Sequence, residues 1–543
     1  MELIRLFLSA SWQSITLAVL TGLLGGASSA GMIALINISL RETNRVNPFV
    51  ALGFIALCLI LLISTAASQV YIARLAERII FDLRLHLTRQ ILACPLRQLE
   101  EIGIPRLLAA LTQDIEIIAN ASIPIAALCA NIALLLGCLL YLSWLSLPLF
   151  GLTMVLVPLA ILSNQYLIYR GRHFLKFARE EQDRLFQHFR TVTEGIKELK
   201  LHQQRRQAFL VEDLQATAVQ SKHYRITAAN SFAIGGSWGL VALFVLIGVF
   251  LFVVPLLFVI PSAVLSGYAL TLIFMVTPLR GLLNTLPELL RANIALEKIN
   301  TLGLSLNTPS TEVEESPVAV QNPGWRSLRI TGVTHAYKGE REDHHFTLGP
   351  LSLTLSPGEL IFIVGGNGSG KSTLVKLLTG LYAPETGTIE FDGQSITDAN
   401  QEWYRQQFSV VFSDFYLFDR LLGLDNLKSG DRVAQEYLEK LHLDGKVKID
   451  RGVFSSTALS QGQRKRLALL TAYLEDRSIY VFDEWASDQD PAFKKIFYTQ
   501  LLPELRNQGN AVVVVSHDER YFDLADRIVK LDYGKIEYDK SMH

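Results

Sequence analysis

The N-terminal part of the chain contains six apolar segments, each long enough to cross the hydrocarbon core of a membrane. A helix needs about 20 apolar residues to cross a core about 30 Å thick. The chain is 543 residues long and 50% hydrophobic, which is too apolar for an ordinary soluble protein of two or three domains. We therefore expect an α-helical membrane domain with six transmembrane helices. The segments lie at about 15–40, 48–70, 121–143, 146–168, 232–256 and 262–286.

The distribution of basic residues predicts how these helices are oriented. Two long polar gaps between the segments are rich in Arg and Lys, and two very short links contain neither. The gaps are 71–120 and 169–230, and the links lie at about 144–146 and 257–261. Because loops rich in Arg and Lys stay in the cytoplasm, both gaps and both chain termini, with Arg5 near the first, are expected there. The link 41–47 carries Arg41 and Arg45 and opposes this orientation, but the long gaps contain many more basic residues.

Both gaps also show apolar residues at helical spacing. Examples are Leu85, Leu87, Ile91 and Leu92 in the first gap and Leu185, Phe189, Val192 and Ile196 in the second. This spacing predicts that the membrane helices continue well into the cytoplasm. We expect the chain to turn near Leu99 to Ile104 in the first gap and near 201–215, around Leu210 and Val211, in the second.

Charge and cysteine content argue against several other classes of protein. The formal net charge of −1 gives no reason to expect nucleic-acid binding, because proteins that bind nucleic acids normally carry a basic stripe on a neutral or acidic remainder. The cysteines have no C-x-x-C spacing and are expected to act as small hydrophobic residues; they are Cys58, Cys94, Cys129 and Cys138. Arg5 and the small residues 27–30 imitate a secretory signal, but the apolar run continues through Leu40, so we do not expect cleavage.

A change of composition after the last apolar segment marks a second domain. Residues 303–325 are rich in Pro, Asn, Ser and Thr and have little apolar content, which is typical of a linker. From Leu328 onward, strand-like runs such as Ile361 to Val364 alternate with helical stretches, the pattern of a mostly parallel sheet covered by helices. We therefore predict a membrane domain at 1–302, a linker at 303–325 and an α/β domain at 326–543.

A glycine-rich loop is the strongest local pattern of the α/β domain. It follows a predicted strand, precedes a predicted helix and matches G-x-x-x-x-G-K-[ST], which predicts a phosphate loop for ATP. Glycines let backbone N–H groups surround phosphate oxygens, and the start of the helix adds partial positive charge. Lys371 is expected to bridge the β- and γ-phosphates and Ser372 to ligate Mg²⁺. The binding segment comprises Gly365, Gly366, Asn367, Gly368, Ser369, Gly370, Lys371, Ser372 and Thr373.

A second strand run, over one hundred residues later, ends in the two carboxylates Asp483 and Glu484. Such a strand in a parallel sheet delivers its last residues to the ligand crevice. Asp483 is expected to hold Mg²⁺ directly or through water. Glu484 is expected to polarise the attacking water as a general base.

The segment Leu459-Ser460-Gln461-Gly462-Gln463, between the phosphate loop and the carboxylates, resembles the signature motif of the ABC transporter family. The resemblance implies that Ser460, Gln461, Gly462 and Gln463 cap the γ-phosphate of an ATP bound by a second ATPase domain. It therefore implies two composite sites in a head-to-tail dimer, which we expect to be a homodimer. A serine at the start of a helix also suits an anion.

Other positions match this family one by one. Tyr337 matches the aromatic residue that stacks on adenine, and His517 matches the histidine that contacts the γ-phosphate. The segment Asp488–Pro491 occupies the place of the loop through which the two sites communicate. Ser413 stands where the family usually has a glutamine that contacts Mg²⁺ and water. Asp414 beside it is an alternative for that role, and the resemblance does not decide between them.

The fusion of six spans to one ATPase resembles the type IV ABC exporters and covers nearly the whole chain. Three segments resemble bacterial cyclic-peptide and siderophore-peptide exporters, namely 408–414, 459–468 and 483–491. The resemblance implies export of a cyclic peptide, lipopeptide or siderophore peptide across the bacterial inner (plasma) membrane. ATP closing the dimer would favour one access state, and hydrolysis would reset it.

Other cargoes and other functions stay open. A lipid or hydrophobic-drug exporter has the same architecture and differs only in its cavity. An ATP-gated channel or sensory regulator is disfavoured by Glu484 and His517, because a gate does not require efficient turnover. A peptidase-coupled exporter is disfavoured because the first span starts near residue 15.

Polar residues at membrane depth either line a cargo cavity or bond helix to helix; they are Asn37, Ser64, Ser68, Asn131, Asn164 and Gln165. The scarcity of charge in the spans favours an amphipathic cargo.

Overall fold

The structure is a computed structural model that describes residues 2–41, 48–302, 324–337, 346–423 and 427–542. Its contacts divide the chain into two compact units. The first is Met1–Leu92 with Pro105–Pro309, and the second is Ala93–Ile104 with Ser310–His543. Nearly all of the link 41–47 and of the predicted linker 303–325 lies outside the described residues.

The first unit consists of α-helices. Among the described residues, six helices are long and apolar enough to cross a membrane, which confirms the predicted membrane domain. The spans are Thr16–Ser39, Pro48–Ala93, Ile104–Leu145, Leu147–Glu194, Gln203–Leu257 and Ser262–Leu282. The first and last of them belong to longer helices, Glu2–Arg41 and Ser262–Thr301.

Two of the spans contain short π-helical turns. The span Ile104–Leu145 has the consecutive parts Ile104–Ala109, Ala110–Asp114, Ile115–Asn120 and Ser122–Leu145, of which Ala110–Asp114 is π-helical. The span Gln203–Leu257 has the parts Gln203–Ala208, Phe209–Gln215, Ala216–Gly248, Val249–Val253 and Val254–Leu257, of which Phe209–Gln215 and Val249–Val253 are π-helical. A helix of 48 residues, Leu147–Glu194, is about 70 Å long at 1.5 Å per residue. The predicted continuation of the helices beyond a membrane core agrees with this length.

The two predicted turns have different outcomes. In the first gap the chain turns at the short helix Leu96–Ile102, where the turn was expected. In the second gap it turns at Gly195 to His202, around the short helix Ile196–Leu201, and the position 201–215 was wrong. Leu210 and Val211 lie in Phe209–Gln215, inside the next long helix. The break comes early because Gly195 is a poor helix former and His202 is extended, with φ −123°.

Small residues let the membrane helices approach closely. A Cβ atom on Gly26 would lie 2.6 Å from the Ala130 carbonyl oxygen, and one on Gly267 would lie 2.6 Å from Asn37 Nδ2. Both distances are shorter than real Cβ contacts. Packing in a membrane depends on such close backbone approach, because lipid tails are as apolar as the helix surfaces.

Three of the polar residues at membrane depth have hydrogen bonds inside the first unit. Asn37 is fully buried and its Nδ2 donates to Tyr141 Oη at 2.6 Å. Ser68 Oγ donates to the Ala18 carbonyl at 3.3 Å, which joins two helices. Ser64 Oγ donates to Leu61 of its own helix at 3.1 Å. For these three residues, the structure favours a role in helix packing over a role in cargo binding.

Of the other three polar residues, two face glycines inside the unit and one is exposed. Asn131 faces Gly281 and Asn164 faces Gly235, since an added Cβ on either glycine would lie within 3.0 Å of the amide. Gln165 is exposed on the surface of the unit. Of the six polar residues, Gln165 is thus the one whose side chain is exposed.

The described part of the second unit contains three sheets. The strands are β1 (Leu328–Ala336), β2 (Thr347–Leu355), β3 (Leu360–Gly365), β4 (Thr386–Phe391), β5 (Gln394–Ser395), β6 (Phe408–Val411), β7 (Ile449–Asp450), β8 (Val453–Phe454), β9 (Ile479–Asp483), β10 (Ala511–Val515), β11 (Arg527–Asp532) and β12 (Lys535–Ser541). The sheet orders are β2-β1-β4-β5, β12-β11-β3-β10-β9-β6 and β7-β8. In the six-stranded sheet only the β11–β12 pair is antiparallel.

Helices cover both faces of the six-stranded sheet. Along β3, Phe362 and Val364 belong to one hydrophobic core while Ile361 and Ile363 belong to the other. A strand that is buried on both faces reads as a continuous apolar run, and this confirms the predicted α/β domain. The helices of this unit are Leu96–Ile102, Lys371–Leu378, Gln401–Arg405, Leu427–Lys440, Gln461–Glu475, Trp485–Asp488, Pro491–Ile496, Phe497–Leu501, Leu502–Asn507 and Glu519–Leu524.

The strand order positions the site. β10 lies between β3 and β9, and all three run parallel. Their carboxyl ends therefore meet at one edge of the sheet. This edge brings together the loop after β3, the carboxylates at the end of β9 and the histidine that follows β10.

Candidate nucleotide site

The phosphate loop joins the end of β3 to the helix Lys371–Leu378. Gly370 immediately precedes this helix and has φ 101°, a left-handed conformation that favours glycine. A Cβ atom on Gly365 would lie 2.3 Å from the Leu531 carbonyl oxygen of the neighbouring strand. The glycines are thus required by both the turn and the packing of the loop.

Two polar side chains of the loop are buried. Lys371 is 6% exposed, and its Nζ donates to the carbonyls of Gly365 at 3.1 Å and Gly366 at 2.9 Å. Burial lowers the pKa of the Lys371 ammonium, although Glu484 and Asp483 act in the opposite direction. Ser369 Oγ is buried and has no hydrogen-bond partner among the described residues. A loop with an inward ammonium and a buried hydroxyl of this kind fits the phosphates of a nucleotide.

Three oxygen-bearing residues gather at the end of β9. Asp483 is 1% exposed, and its Oδ2 accepts a hydrogen bond from Ser413 Oγ at 3.2 Å. Burial raises the pKa of Asp483, and hydrogen bonds from Ser372 and Ser413 act against this effect. Asp483 Oδ1 is buried without a hydrogen-bond partner in the described part of the chain.

These oxygens fit a divalent cation that is shared with a nucleotide. Mg²⁺ prefers carboxylate and hydroxyl oxygens together with substrate phosphates. Among the described residues, no group of three or more His, Cys, Asp or Glu could hold a metal ion alone. The donor set therefore suits a cation that arrives with phosphate groups.

Glu484 and His517 face each other across the ends of β9 and β10. His517 Nε2 lies 3.3 Å from Glu484 Oε1. Glu484 has φ 49°, which is left-handed, and its backbone N–H donates to the Val515 carbonyl at 3.1 Å. The bend turns the carboxylate out of the strand toward the histidine. A carboxylate next to a histidine at a phosphate site can activate water.

Tyr337 is connected to the start of the phosphate-loop helix. Its Oη lies 3.3 Å from Thr373 Oγ1 and 3.3 Å from Tyr382 Oη. The side chain is 37% exposed, so one part of the ring is open to a ligand. Tyr382 in turn donates a hydrogen bond to Glu100, which lies on the short helix Leu96–Ile102 of the same unit.

The signature segment begins the helix Gln461–Glu475, which we call the signature helix. Ser460 caps this helix: its Oγ accepts from the Gln463 N–H at 3.4 Å, and its N–H donates to Gln463 Oε1 at 3.3 Å. This reciprocal capping box fixes the direction in which the helix starts. The free N–H groups of the first turn remain available to an anion.

Within one chain, the signature residues contact the segment Asp488–Pro491, which we call the communication loop, rather than the phosphate loop. Gln489 Nε2 donates to the Gly462 carbonyl at 2.9 Å, and Gln461 Nε2 donates to Asp488 Oδ2 at 3.3 Å. A Cβ atom on Gly462 would lie 2.6 Å from the Asp488 carbonyl. The predicted site residues therefore form two groups, one around the phosphate loop and one around Ser460.

The sequence did not single out two residues that the structure places at this centre. Tyr382 connects Tyr337 to Glu100. Lys465, which is 1% exposed, donates to the Glu484 carbonyl at 3.0 Å. Helical spacing offered a signal for Lys465, because it shares a buried helix face with Leu469. A lysine on such a face requires buried acceptors.

Comparison with protein families matches both parts of the chain. The ABC transporter family matches residues 348–487, and the ABC transporter transmembrane region matches residues 12–279. Together these two regions contain five of the six spans, most of the sixth span and most of the nucleotide site.

Curated proteins resemble the chain over most of its length or over a shorter part of it. The chain is 36% identical over 531 residues to the ATP-binding protein SyrD of Pseudomonas syringae pv. syringae, which covers 96% of this chain and 93% of that protein. It is 26% identical over 501 residues to an ATP-dependent lipid A-core flippase of Alkalilimnicola ehrlichii, with 87% and 81% covered. It is 29% identical over 241 residues to the nisin transport ATP-binding protein NisT of Lactococcus lactis subsp. lactis, with 42% and 39% covered.

Proposed function

The chain belongs to the ABC transporter family, as an exporter that couples ATP hydrolysis to transport, and from this premise we propose that its cargo is a peptide natural product. The cargo class is a cyclic peptide, a lipopeptide or a siderophore peptide. Three segments carry this proposal, because they resemble those of bacterial cyclic-peptide and siderophore-peptide exporters; they are 408–414, 459–468 and 483–491. The similarity of 42% of the chain to a protein named for nisin transport supports it.

The membrane domain also suits such a cargo. Charged residues are nearly absent from the six apolar segments recognised in the sequence, which disfavours a small ion as cargo. Gln165 offers an exposed amide close to membrane depth, and an amide can both donate to and accept from a peptide backbone. An amphipathic peptide presents the same combination of apolar surface and amide groups.

The proposed hydrolysis uses residues at the edge of the six-stranded sheet. Lys371 binds the β- and γ-phosphates, and Glu484 takes a proton from the attacking water. His517 orients Glu484 and contacts the γ-phosphate. Ser372 and Asp483 hold Mg²⁺, and the cation when bound neutralises charge on the phosphates.

The remaining site residues complete each site from two chains. Tyr337 stacks on adenine, and Ser413, through its bond to Asp483, replaces the usual glutamine near Mg²⁺. Ser460 of a second copy covers the γ-phosphate with the residues Gln461 to Gln463. We therefore propose a homodimer with two composite sites, located in the bacterial inner membrane with both termini in the cytoplasm.

A lipid exporter is the second candidate, because the lipid A-core flippase covers 87% of the chain. An ATP-gated channel or sensory regulator is disfavoured by the close pair Glu484 and His517, which a gate does not require. The two exporter hypotheses differ in the molecule that stimulates ATP turnover.

The test is ATP hydrolysis by the purified chain in lipid nanodiscs. A panel of cyclic peptides, lipopeptides and siderophore peptides is compared with lipid A and with no addition, and Glu484→Gln serves as the inactive control. We expect one peptide class to raise the hydrolysis rate saturably in the wild type and not in the control. Stimulation by lipid A alone would replace the peptide proposal with the lipid one.

A further inference from the structure

Lys465 is a buried cation in the signature helix. The residue is 1% exposed, and its Nζ donates to the Glu484 carbonyl at 3.0 Å, to Ser487 Oγ at 3.1 Å and to Asp488 Oδ2 at 2.8 Å. An ammonium group has three N–H donors, so each donor has an acceptor. A buried charge that is fully bonded in this way is costly to disturb.

One acceptor is the carbonyl of Glu484, and the other two belong to the turn that follows it. This turn, Trp485–Asp488, is preceded by Glu484 as its cap, and the left-handed backbone of Glu484 is unfavourable for a residue with a side chain. Lys465 donates a hydrogen bond to the carbonyl of Glu484, and the backbone N–H of Glu484 donates to the Val515 carbonyl at 3.1 Å. The conformation that aims the Glu484 carboxylate at His517 is therefore fixed from both sides.

The backbone of Lys465 contacts the same turn. Trp485 Nε1 donates to the Lys465 carbonyl at 2.9 Å, and the indole is 1% exposed and stacked on Phe497 with ring centroids 4.2 Å apart. Lys465 thus connects a rigid part of the core to Glu484. The Asp488 carboxylate lies at the surface end of this connection, and the hydrogen bond from Lys465 is the main cause of its lowered pKa.

The signature helix starts at Ser460, about one and a half turns before Lys465. Its first residues bond to the communication loop through Gln461 and Gln489. A displacement of the helix start is therefore transmitted to Lys465 and to the turn that holds Glu484.

We propose that Lys465 is a positioning residue for ATP hydrolysis, which couples the signature helix to the backbone of Glu484 and Asp488 in the same chain. Engagement of Ser460 with the nucleotide of one site then adjusts the base of the other site. This inference rests on the proposed roles of Glu484 and Ser460. Lys465 itself does not touch the nucleotide or the water.

The test compares Lys465→Gln and Lys465→Met with the wild type in nanodiscs, with kcat and KM for ATP measured separately. Gln keeps an amide donor and loses the charge, and Met keeps the volume and loses every donor. We expect kcat to fall about tenfold for Gln and about 30-fold for Met, with KM within about twofold. Lys530→Gln is the matched control, because Lys530 pairs with Glu537 across β11 and β12 at 2.9 Å; it should leave both constants unchanged.

Asp488→Asn and the double variant with Lys465→Gln show whether the two residues act as a unit. We expect the double variant to be no slower than Lys465→Gln alone, because coupled residues are not additive. Two results would show that Lys465 has only a structural role. One is an equal loss of kcat and of nucleotide affinity, and the other is an unchanged kcat with a lower thermal midpoint. If Lys465→Met does not fold, Lys465→Gln and Asp488→Asn decide. Normal hydrolysis by Glu484→Gln would instead remove the base role on which the inference rests.

Discussion

Glu484 combines an unfavourable backbone conformation with a partner at short distance. Its φ is 49°, and its carboxylate lies 3.3 Å from His517 Nε2. Glu484→Gln keeps the shape of the side chain and removes the proposed general base. We expect ATP to bind normally while kcat falls about 100-fold or more, and the ATP-bound dimer to accumulate in a closed form. Hydrolysis at the wild-type rate in a phosphate-release assay would contradict the base role.

Lys371 is the second residue whose role can be isolated. Lys371→Ala removes a charged donor from the phosphate loop, so nucleotide affinity should fall about 10- to 100-fold. A non-hydrolysable ATP analogue and fluorescence titration measure this change. Lys530→Ala is the control, because Lys530 pairs with Glu537 at 2.9 Å rather than with the loop. Equal affinities for the two variants would contradict the phosphate assignment.

Glu475, at the end of the signature helix, gives a prediction about pH. Burial raises its pKa, and Ser409 Oγ donates to it at 3.0 Å. Because the raised pKa lets the folded chain bind more protons than the unfolded chain, this group favours folding below its unfolded pKa, and the advantage is lost as pH rises through the folded pKa. Glu475→Gln keeps an acceptor for Ser409 and cannot ionise.

The variant Glu475→Gln should therefore unfold about 2 °C higher than the wild type at pH 8. The difference should shrink as the pH falls toward 4.5, because the carboxyl of the folded wild type becomes protonated and the cost of its buried charge disappears. Thermal scans of the purified chain across this pH range measure both values. A difference that grew as the pH fell would show that the ionised carboxylate stabilises the fold.

At the scale of elements, helix packing in the first unit depends on glycine. Gly26→Ala places a Cβ atom 2.6 Å from the Ala130 carbonyl and 2.7 Å from Ala133 Cβ. Such overpacking costs about 1–3 kcal/mol, so we expect a lower thermal midpoint. Gly151→Ala is the control, because no described atom lies within 4 Å of its added Cβ; it should be neutral or stabilising by up to about 1 kcal/mol. Equal midpoints for the two variants would contradict the close helix contact.

The elements that could be predicted from the sequence are those with local causes. The six spans follow from apolar length, and the phosphate loop follows from a spacing that the strand and the helix place unambiguously. The second turn, at Gly195 to His202, was missed because apolar spacing continues across it. Lys465 and Tyr382 were missed because their partners are distant in the chain: Lys465 bonds to Glu484, and Tyr382 bonds to Glu100.

At the scale of the whole molecule, the arrangement of the two groups of site residues predicts a dimer with shared sites. Lys371 lies in the phosphate loop, while Ser460 starts a helix whose side-chain bonds go to Asp488 and Gln489 of its own chain. If each site combines Lys371 of one chain with Ser460 of the other, the location of two substitutions decides how many sites survive. Dimers of differently tagged chains, purified through both tags, allow this comparison.

Placing Lys371→Ala and Ser460→Ala on the same chain of such a dimer damages both composite sites, because one loses its phosphate loop and the other loses its signature. Placing them on opposite chains damages one site twice and leaves the other intact. We therefore expect hydrolysis to be higher for the opposite-chain dimer than for the same-chain dimer, in a phosphate-release assay with equal amounts of both. Sites formed within single chains would give the reverse order, because then the same-chain dimer would keep one complete site and the opposite-chain dimer none.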